Sequence, residues 1–308
     1  MTELDPAEQR AFAQAVGPVA TLRRLSLPHL DGLTWLFVGP LFLVLLAFMV
    51  LPAFSVLVGA VRGEGGHFTT KYLAMLGQAQ YVTALKNTVL VSFWSAVLGA
   101  VLGALLAWVA LGPHSPPWIR RPLMSFSGVA SNFAGIPLAL AFLMTLSGTG
   151  VITKLLLAVG INLQALGFSL FSLSGLVLVY LYFQIPLMVI LFTPAINGLR
   201  QEWQEAAENL GAGPWLYWRR VGLPILMPSL LACATMLFGN AFATYATPYA
   251  LTSGNIPLLP LQISAVMSGN VLSDPQLGQA LALLIIVIML ITTGLYVWFD
   301  KQSSRWRV

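Results

Sequence analysis

Residues 205–224, EAAENLGAGPWLYWRRVGLP, carry the chain out of one long apolar run, 174–196, and into another that begins at Leu223. Glu205, Glu208 and the Arg219-Arg220 pair cannot follow those runs into hydrocarbon, where an unpaired charge is strongly unfavourable. The stretch therefore lies at a membrane surface and its neighbours are spans. About 20 apolar residues are needed to cross a core of about 30 Å, and counting outward by that rule gives six runs, near 33–60, 88–111, 123–146, 174–196, 223–251 and 277–299. The expected fold class is an all-α membrane protein with six transmembrane helices.

Composition points the same way. Hydrophobic residues make up 58% of the 308 residues and charged residues 8%, with a mean hydropathy of +0.84, whereas a soluble domain is about 25% charged. The first run is too long for a signal peptide, follows Glu3, Asp5 and Glu8, and has no small-residue cleavage site behind it, so it is expected to remain as an anchor. One set of loops carries Arg10, Arg23, Arg24, Arg120, Arg121, Arg200, Arg219, Arg220, Lys301, Arg305 and Arg307; the other carries Arg62, Lys71, Lys86 and Lys154. This positive-inside bias places both termini and the 205–224 stretch in the cytoplasm. The net charge of +5 then reports topology and contact with anionic headgroups, not nucleic-acid binding. The expected organisation is a cytoplasmic tail over 1–32, whose 7–27 stretch suits the membrane surface, a six-helix domain over 33–300, and a short cytoplasmic tail over 301–308.

Several chemistries are excluded. Cys233 is the only cysteine and falls inside a span, and His29, His67 and His114 are scattered over loops, so neither a disulfide nor a metal centre is expected. No acid, base and nucleophile cluster of catalytic density is visible. All ten carboxylates lie in loops or at span ends, which argues against a carrier driven by protons or sodium, since such carriers place ionisable groups near the midplane. A carrier using only carbonyls and hydroxyls remains the alternative. Gly148 to Lys154, GTGVITK, imitates a phosphate-binding loop but lacks the second glycine before Lys154 and has Leu155 where Ser or Thr belongs. It reads as a helix-terminating turn.

Within the island, residues 200–210 read as a short helix with Glu202, Glu205 and Glu208 on one side and Trp203, Ala206, Ala207 and Leu210 along an apolar stripe. Small Ala206 and Ala207 permit close approach by another backbone, Glu205 offers an acceptor, and Gly211 can take the left-handed conformation that ends a helix. Pro214 prevents continuation, and Leu223-Pro224 is expected to open the next span with proline in its first turn.

The spacing resembles the signature of the inner-membrane permease subunits of binding-protein-dependent ABC importers: E-A-A, three residues, G, nine residues, I-x-L-P. Here Glu205-Ala206-Ala207 is followed by Gly211 and by Val221-Gly222-Leu223-Pro224, with valine for isoleucine as the one departure. Asn87-Thr88 is similar to the N-T that opens the family's core, placing that core at about 81–299; physically the pair also suits a helix N-cap. The resemblance implies a type I importer permease fold in a bacterial inner membrane and makes 201–211 a coupling helix within the 200–222 loop. It assigns Glu205, Ala206, Ala207, Leu210, Gly211, Leu223 and Pro224 to ATPase coupling. It also implies an ABC ATPase dimer that holds the ATP and Mg, a second and different permease subunit, and an extracytoplasmic binding protein. The chain itself would be neither an enzyme nor a cofactor carrier.

Pathway candidates are polar and aromatic residues inside apolar spans: Gln184 before Pro186, and Asn240, Thr244, Tyr245 and Thr247 before Pro248. Interhelical hydrogen bonds are the other reading of each. Gly99 and Gly103 read as helix packing, and Pro40, Pro52, Pro137 and Pro228 as tolerated kinks. Loops 62–86 and 251–276 are large enough to form a rim for a docking protein. The overall look is closest to polyamine, opine and phosphonate permeases, so the expected substrate is a polyamine or a phosphonate-type compound; spans without carboxylates weaken the polycation.

Overall fold

The computed structural model describes residues 32–63, 67–112, 115–268 and 274–304. The expected 1–32 tail lies outside them except for Gly32, as do residues 305–308. The chain divides after Ser55 into two compact units.

The first unit is helical throughout its described part. Helix α1 (Gly32–Leu45) passes through a π turn, Leu46–Val50, into α2 (Leu51–Gly59). Leu51 N–H bonds the Leu46 carbonyl, a wider turn than the α-helical one, immediately before Pro52. The π turn accommodates the proline, which has no N–H and crowds the preceding turn.

In the second unit an isolated antiparallel bridge joins Arg62 and Phe68, and α3 (Lys71–Met75) leads to α4 (Ala79–Leu111). At 33 residues, α4 is about 50 Å long and starts nine residues before the expected span at 88. Asn87 and Thr88 are therefore not an N-cap, which corrects the sequence expectation. The Asn87 amide donates to the Pro257 carbonyl at 3.0 Å, and Thr88 Oγ1 accepts from Leu259 N–H at 2.8 Å. A polar pair that lowers local hydropathy thus continues the helix by satisfying the backbone of a loop 170 residues away.

The third apolar stretch is interrupted. Helix α5 (Pro117–Ala130) ends, residues 131–135 turn, and α6 (Ile136–Leu146) and α7 (Val151–Ala158) follow. The expected single helix over 123–146 is thus two. Gly135 sits at φ 77° and Pro137 enters the first turn of α6, a combination that stops one helix and starts another. Gly148-Thr149-Gly150 forms the turn between α6 and α7.

Helix α8 (Leu173–Asn197) is capped by Ser172, whose hydroxyl accepts from Gly175 N–H. Then come α9 (Gln201–Asn209), α10 (Pro214–Tyr217), a π turn at Trp218–Gly222 and α11 (Leu223–Phe242). The helix from Pro214 to Phe242 is continuous, so Leu223-Pro224 lies inside it and not at its start, a second correction. Leu223 N–H bonds the Trp218 carbonyl, repeating the arrangement before Pro52. The expected span over 223–251 also breaks, at 243–245, before α12 (Ala246–Thr252). Helix α13 (Leu259–Ser268) belongs to the expected rim, and α14 (Pro275–Ser304) begins where Asp274 Oδ1 accepts from Leu277 N–H. Helix α14 continues into the expected tail as far as Ser304, and the Ser303 hydroxyl bonds that of Ser229. Among the described residues, six helical stretches are long and apolar enough to cross a membrane.

The core forms where α4, α8 and α11 meet. Thr88, Ser92, Ser95, Gly99, Gly103 and Ala107 are small and buried along α4. A Cβ built on Gly99 would stand 2.8 Å from Gln184 Cβ, and one on Gly103 would stand 2.5 Å from Met188 Cβ. Hydrophobic segregation provides little drive between helices already in lipid, so contact of this closeness is what joins them.

Candidate functional site

Helix α9 projects from the membrane helices and none of its residues is buried. Arg200 is its extended N-cap, and Glu202 lies in its first turn, where a negative charge suits the helix dipole. Gln201 Nε2 donates to Glu205 Oε1 and Gln204 Nε2 to Glu208 Oε1, both at 3.0 Å. The Arg200 guanidinium stands 6.0 Å from the Trp203 ring centroid, and Trp203 is half-buried.

The helix ends on Gly211 at φ 77°. Ala212 N–H bonds the Ala207 carbonyl and Gly211 N–H the Glu208 carbonyl, both at 2.9 Å, a paired C-terminal cap that needs a left-handed residue between the two donors' turns. Leu210, the last residue before this cap, is 88% exposed. Ala206 is also exposed. Glu205 and Glu208 instead line a cavity of about 470 Å³ between α9 and the ends of α4, α8 and α10, with Trp108, Arg200 and Tyr217 on other walls. The helix thus presents Ala206 and Leu210 outward, and Glu205 and Glu208 toward its own base.

The second region is the pair of helix interruptions. Gly135 N–H donates to Thr247 Oγ1 at 2.8 Å, so the break between α5 and α6 is tied to the break between α11 and α12. Thr247 is fully buried. Asn132 Nδ2 donates to the Gly128 carbonyl at 2.9 Å, closing α5 from its own end. Tyr182 meets Phe133 and Phe142 edge to face, each at 6.0 Å. Across the other break, Thr244 Oγ1 donates to the Asn240 carbonyl at 2.7 Å, the Tyr245 hydroxyl bonds that of Ser264 at 3.0 Å, and Tyr245 stacks on Tyr249 at 5.4 Å.

The five pathway candidates divide on burial. Gln184 is 0% exposed and its Nε2 bonds the Leu237 carbonyl at 2.9 Å; in this conformation Gln184 and Thr247 join helices. Its Oε1 has no hydrogen-bond partner among the described residues. Asn240 and Tyr245 are exposed and Thr244 half-buried. Asn132 joins them as an exposed polar residue at an interruption. Sequence reasoning passed over it, although the turn signals in Asn132-Phe133-Ala134-Gly135-Ile136-Pro137 were present. Among the described residues no cluster of three metal-ligating side chains occurs.

Replacing Thr247 by valine keeps the volume and removes the acceptor for Gly135 N–H. An unsatisfied buried donor costs about 1–3 kcal/mol, so a lower unfolding temperature in detergent is expected for Thr247→Val, with Thr247→Ser close to the parent. Equal unfolding temperatures for all three would show that the bond does not hold the two breaks together.

The family described as binding-protein-dependent transport system inner membrane component matches residues 99–305. The probable sulfate transport system permease protein cysT of Nephroselmis olivacea is 26% identical over 266 residues, covering 85% of this chain and 87% of that protein. The molybdenum transport system permease protein ModB of Mycobacterium tuberculosis is 27% identical over 223 residues, covering 71% and 79%. Among solved structures, a chain of a bacterial ABC transporter involved in the import of the acidic polysaccharide alginate superposes with a TM-score of 0.67 at 17% identity, covering 89% of this chain and 96% of that one.

Proposed function

Because the chain belongs to the family of binding-protein-dependent transport system inner membrane components, we propose that it lines the path of a small oxyanion and is driven by an ATPase seated on α9. It is a multi-pass, non-catalytic permease subunit of an ABC importer. In this reading ATP and Mg belong to the partner ATPase dimer, a second permease subunit of different sequence completes the pathway, and an extracytoplasmic binding protein delivers the solute. A solved alginate transporter is described in complex with a substrate-bound periplasmic protein, an arrangement that suits this one.

The observation that carries the coupling assignment is α9 itself, an exposed helix with Ala206 and Leu210 outward and a left-handed glycine cap. Small residues admit a groove wall from a partner, and an exposed leucine gains burial when a partner covers it.

For the substrate, the polyamine and phosphonate expectations part company. The described spans carry no carboxylate short of Asp300, near the end of α14, so a polycation finds no counter-charge. The side-chain amide of Asn240 is a donor suited to oxygen-rich anions, and Asn132, Thr244 and Tyr245 would join it on giving up the bonds to Gly128, Asn240 and Ser264 that they make here. The cited relatives are named for sulfate and molybdenum, which favours an oxyanion, a phosphonate among them.

The test is ATP hydrolysis by the reconstituted importer with its binding protein, offered sulfate, molybdate, an alkylphosphonate or spermidine. Stimulation of severalfold by one of the oxyanions and none by spermidine is expected, and it should persist when ionophores collapse ion gradients. Stimulation by spermidine alone would overturn the substrate reading. Gradient-driven uptake without ATP would overturn the coupling.

A further inference from the structure

A second cavity, of about 730 Å³, lies between α4 and the helix that runs from α10 into α11. The transport reading makes no use of it. Ala104, Phe192 and Leu226 line its depth, and Trp108, Trp215 and Trp218 its rim. Trp108 and Trp218 meet edge to face with centroids 5.3 Å apart. The Trp218 ring lies against Gly222, where a Cβ would come within 2.8 Å of it; the glycine between Val221 and Leu223 therefore shapes the groove. Trp215 is 78% exposed. The volume is that of a pocket for a small ligand, and the walls are aliphatic and aromatic.

Position gives the ligand class. The groove occupies the last turns of α4 and the first turns of the 214–242 span, at the end of the bundle that carries α9. Tryptophan is the residue favoured at headgroup depth. Arg219 follows Trp215 by four residues and so stands beside it on the helix, next to the groove's rim. Arg219 and Arg220 are exposed, and neither has an ion-pair partner among the described residues. An apolar trough between two membrane-spanning helices, beside two arginines without an ion-pair partner among the described residues, is complementary to one kind of molecule, a lipid with an anionic head.

We propose that this groove binds an anionic phospholipid, its acyl chain lying along Ala104 and Leu226 and its phosphate held by Arg219 and Arg220. A zwitterionic phospholipid would satisfy the trough equally and the arginines poorly. A neighbouring protein chain would need to bring both an apolar surface and carboxylates. The site is independent of the transported solute.

Photolabelling tests this. The chain, purified with its partner subunits, is placed in phosphatidylcholine nanodiscs containing a small share of phosphatidylglycerol with a diazirine on its acyl chain, or the same share of phosphatidylcholine so modified. Labelled peptides are then mapped by mass spectrometry. Each arginine near the headgroups favours an anionic lipid about fivefold, so labelling of 101–108 and 223–230 is expected to favour phosphatidylglycerol by at least about tenfold. The double variant Arg219→Gln, Arg220→Gln should bring that ratio to about one and leave labelling of the exposed apolar residues between 41 and 54 unchanged. Ala104→Trp, which fills the groove, should remove labelling there with both lipids. Equal labelling of the parent by the two lipids would overturn the proposal. So would absence of labelling at these segments, because a protein neighbour would then cover the groove.

Discussion

Replacing Gly103 with leucine is expected to prevent α4 and α8 from packing and to yield a subunit that no longer runs as one species in detergent. Even the first added carbon would stand 2.5 Å from Met188 Cβ and 2.8 Å from the Ile185 carbonyl oxygen. The obstacle includes backbone, so a rotamer change cannot relieve it; the two helices must separate along their shared face. Over-packing a well-filled core costs about 1–3 kcal/mol, and forced separation here also opens the contact at Gly99 one turn away. Gly128 is the internal control, since a Cβ there meets nothing within 4 Å. Gly128→Ala should be neutral or slightly stabilising, as expected for a helix glycine without a packing role. A Gly103→Leu protein with the parent's elution profile and unfolding temperature would mean that the close approach of α4 and α8 is not what holds the subunit together.

Gly211→Val should abolish transport while leaving the membrane helices intact. Gly211 stands at φ 77° with open space around it, so the penalty is conformational and local. A β-branched residue in the left-handed region is a severe outlier, and the chain would escape by giving up the paired cap that Ala212 and Gly211 N–H form with Ala207 and Glu208. The end of α9 would unwind, taking Leu210 and Ala207 with it. Recovery of the ATPase on a tagged subunit is expected to fall more than tenfold, with an unchanged unfolding temperature. Asn tolerates this conformation better than other side chains, so Gly211→Asn should restore much of the association. Full association of the valine variant would remove α9 from the coupling assignment.

Both predictions rest on residues that sequence reading identified, which reflects how strongly hydrocarbon constrains composition. Six spans could be counted because a crossing helix must be apolar along its length, and α9 could be found because Glu202, Glu205 and Glu208 interrupt that apolarity. The ends and breaks were hidden for the converse reason. Lys86-Asn87 lowers hydropathy although the helix continues through it, since Asn87 finds its partner at Pro257. Residues 131–135 and 243–245 break helices inside stretches that stay largely apolar, and the bond that stabilises the breaks joins Gly135 to Thr247 across 112 positions. Local periodicity contains no trace of such a partner. Gln184 and Asn240 look alike as polar residues in spans, yet one is fully buried and bonded to Leu237 and the other exposed. Only tertiary structure separates a buried strut from an exposed side chain.

The tie between the two interruptions also sets a schedule for biogenesis. At about 5–20 residues per second, the ribosome delivers Thr247 on the order of ten seconds after Gly135. Until then the third apolar stretch lacks the acceptor that Gly135 N–H has in the folded subunit. Its halves are free to slip, to fuse into one straight helix, or to wait against a chaperone. The nascent subunit therefore passes through a vulnerable window that closes when α12 arrives, and truncation just before Thr247 should leave a protein that is inserted but open to proteolysis near Gly135.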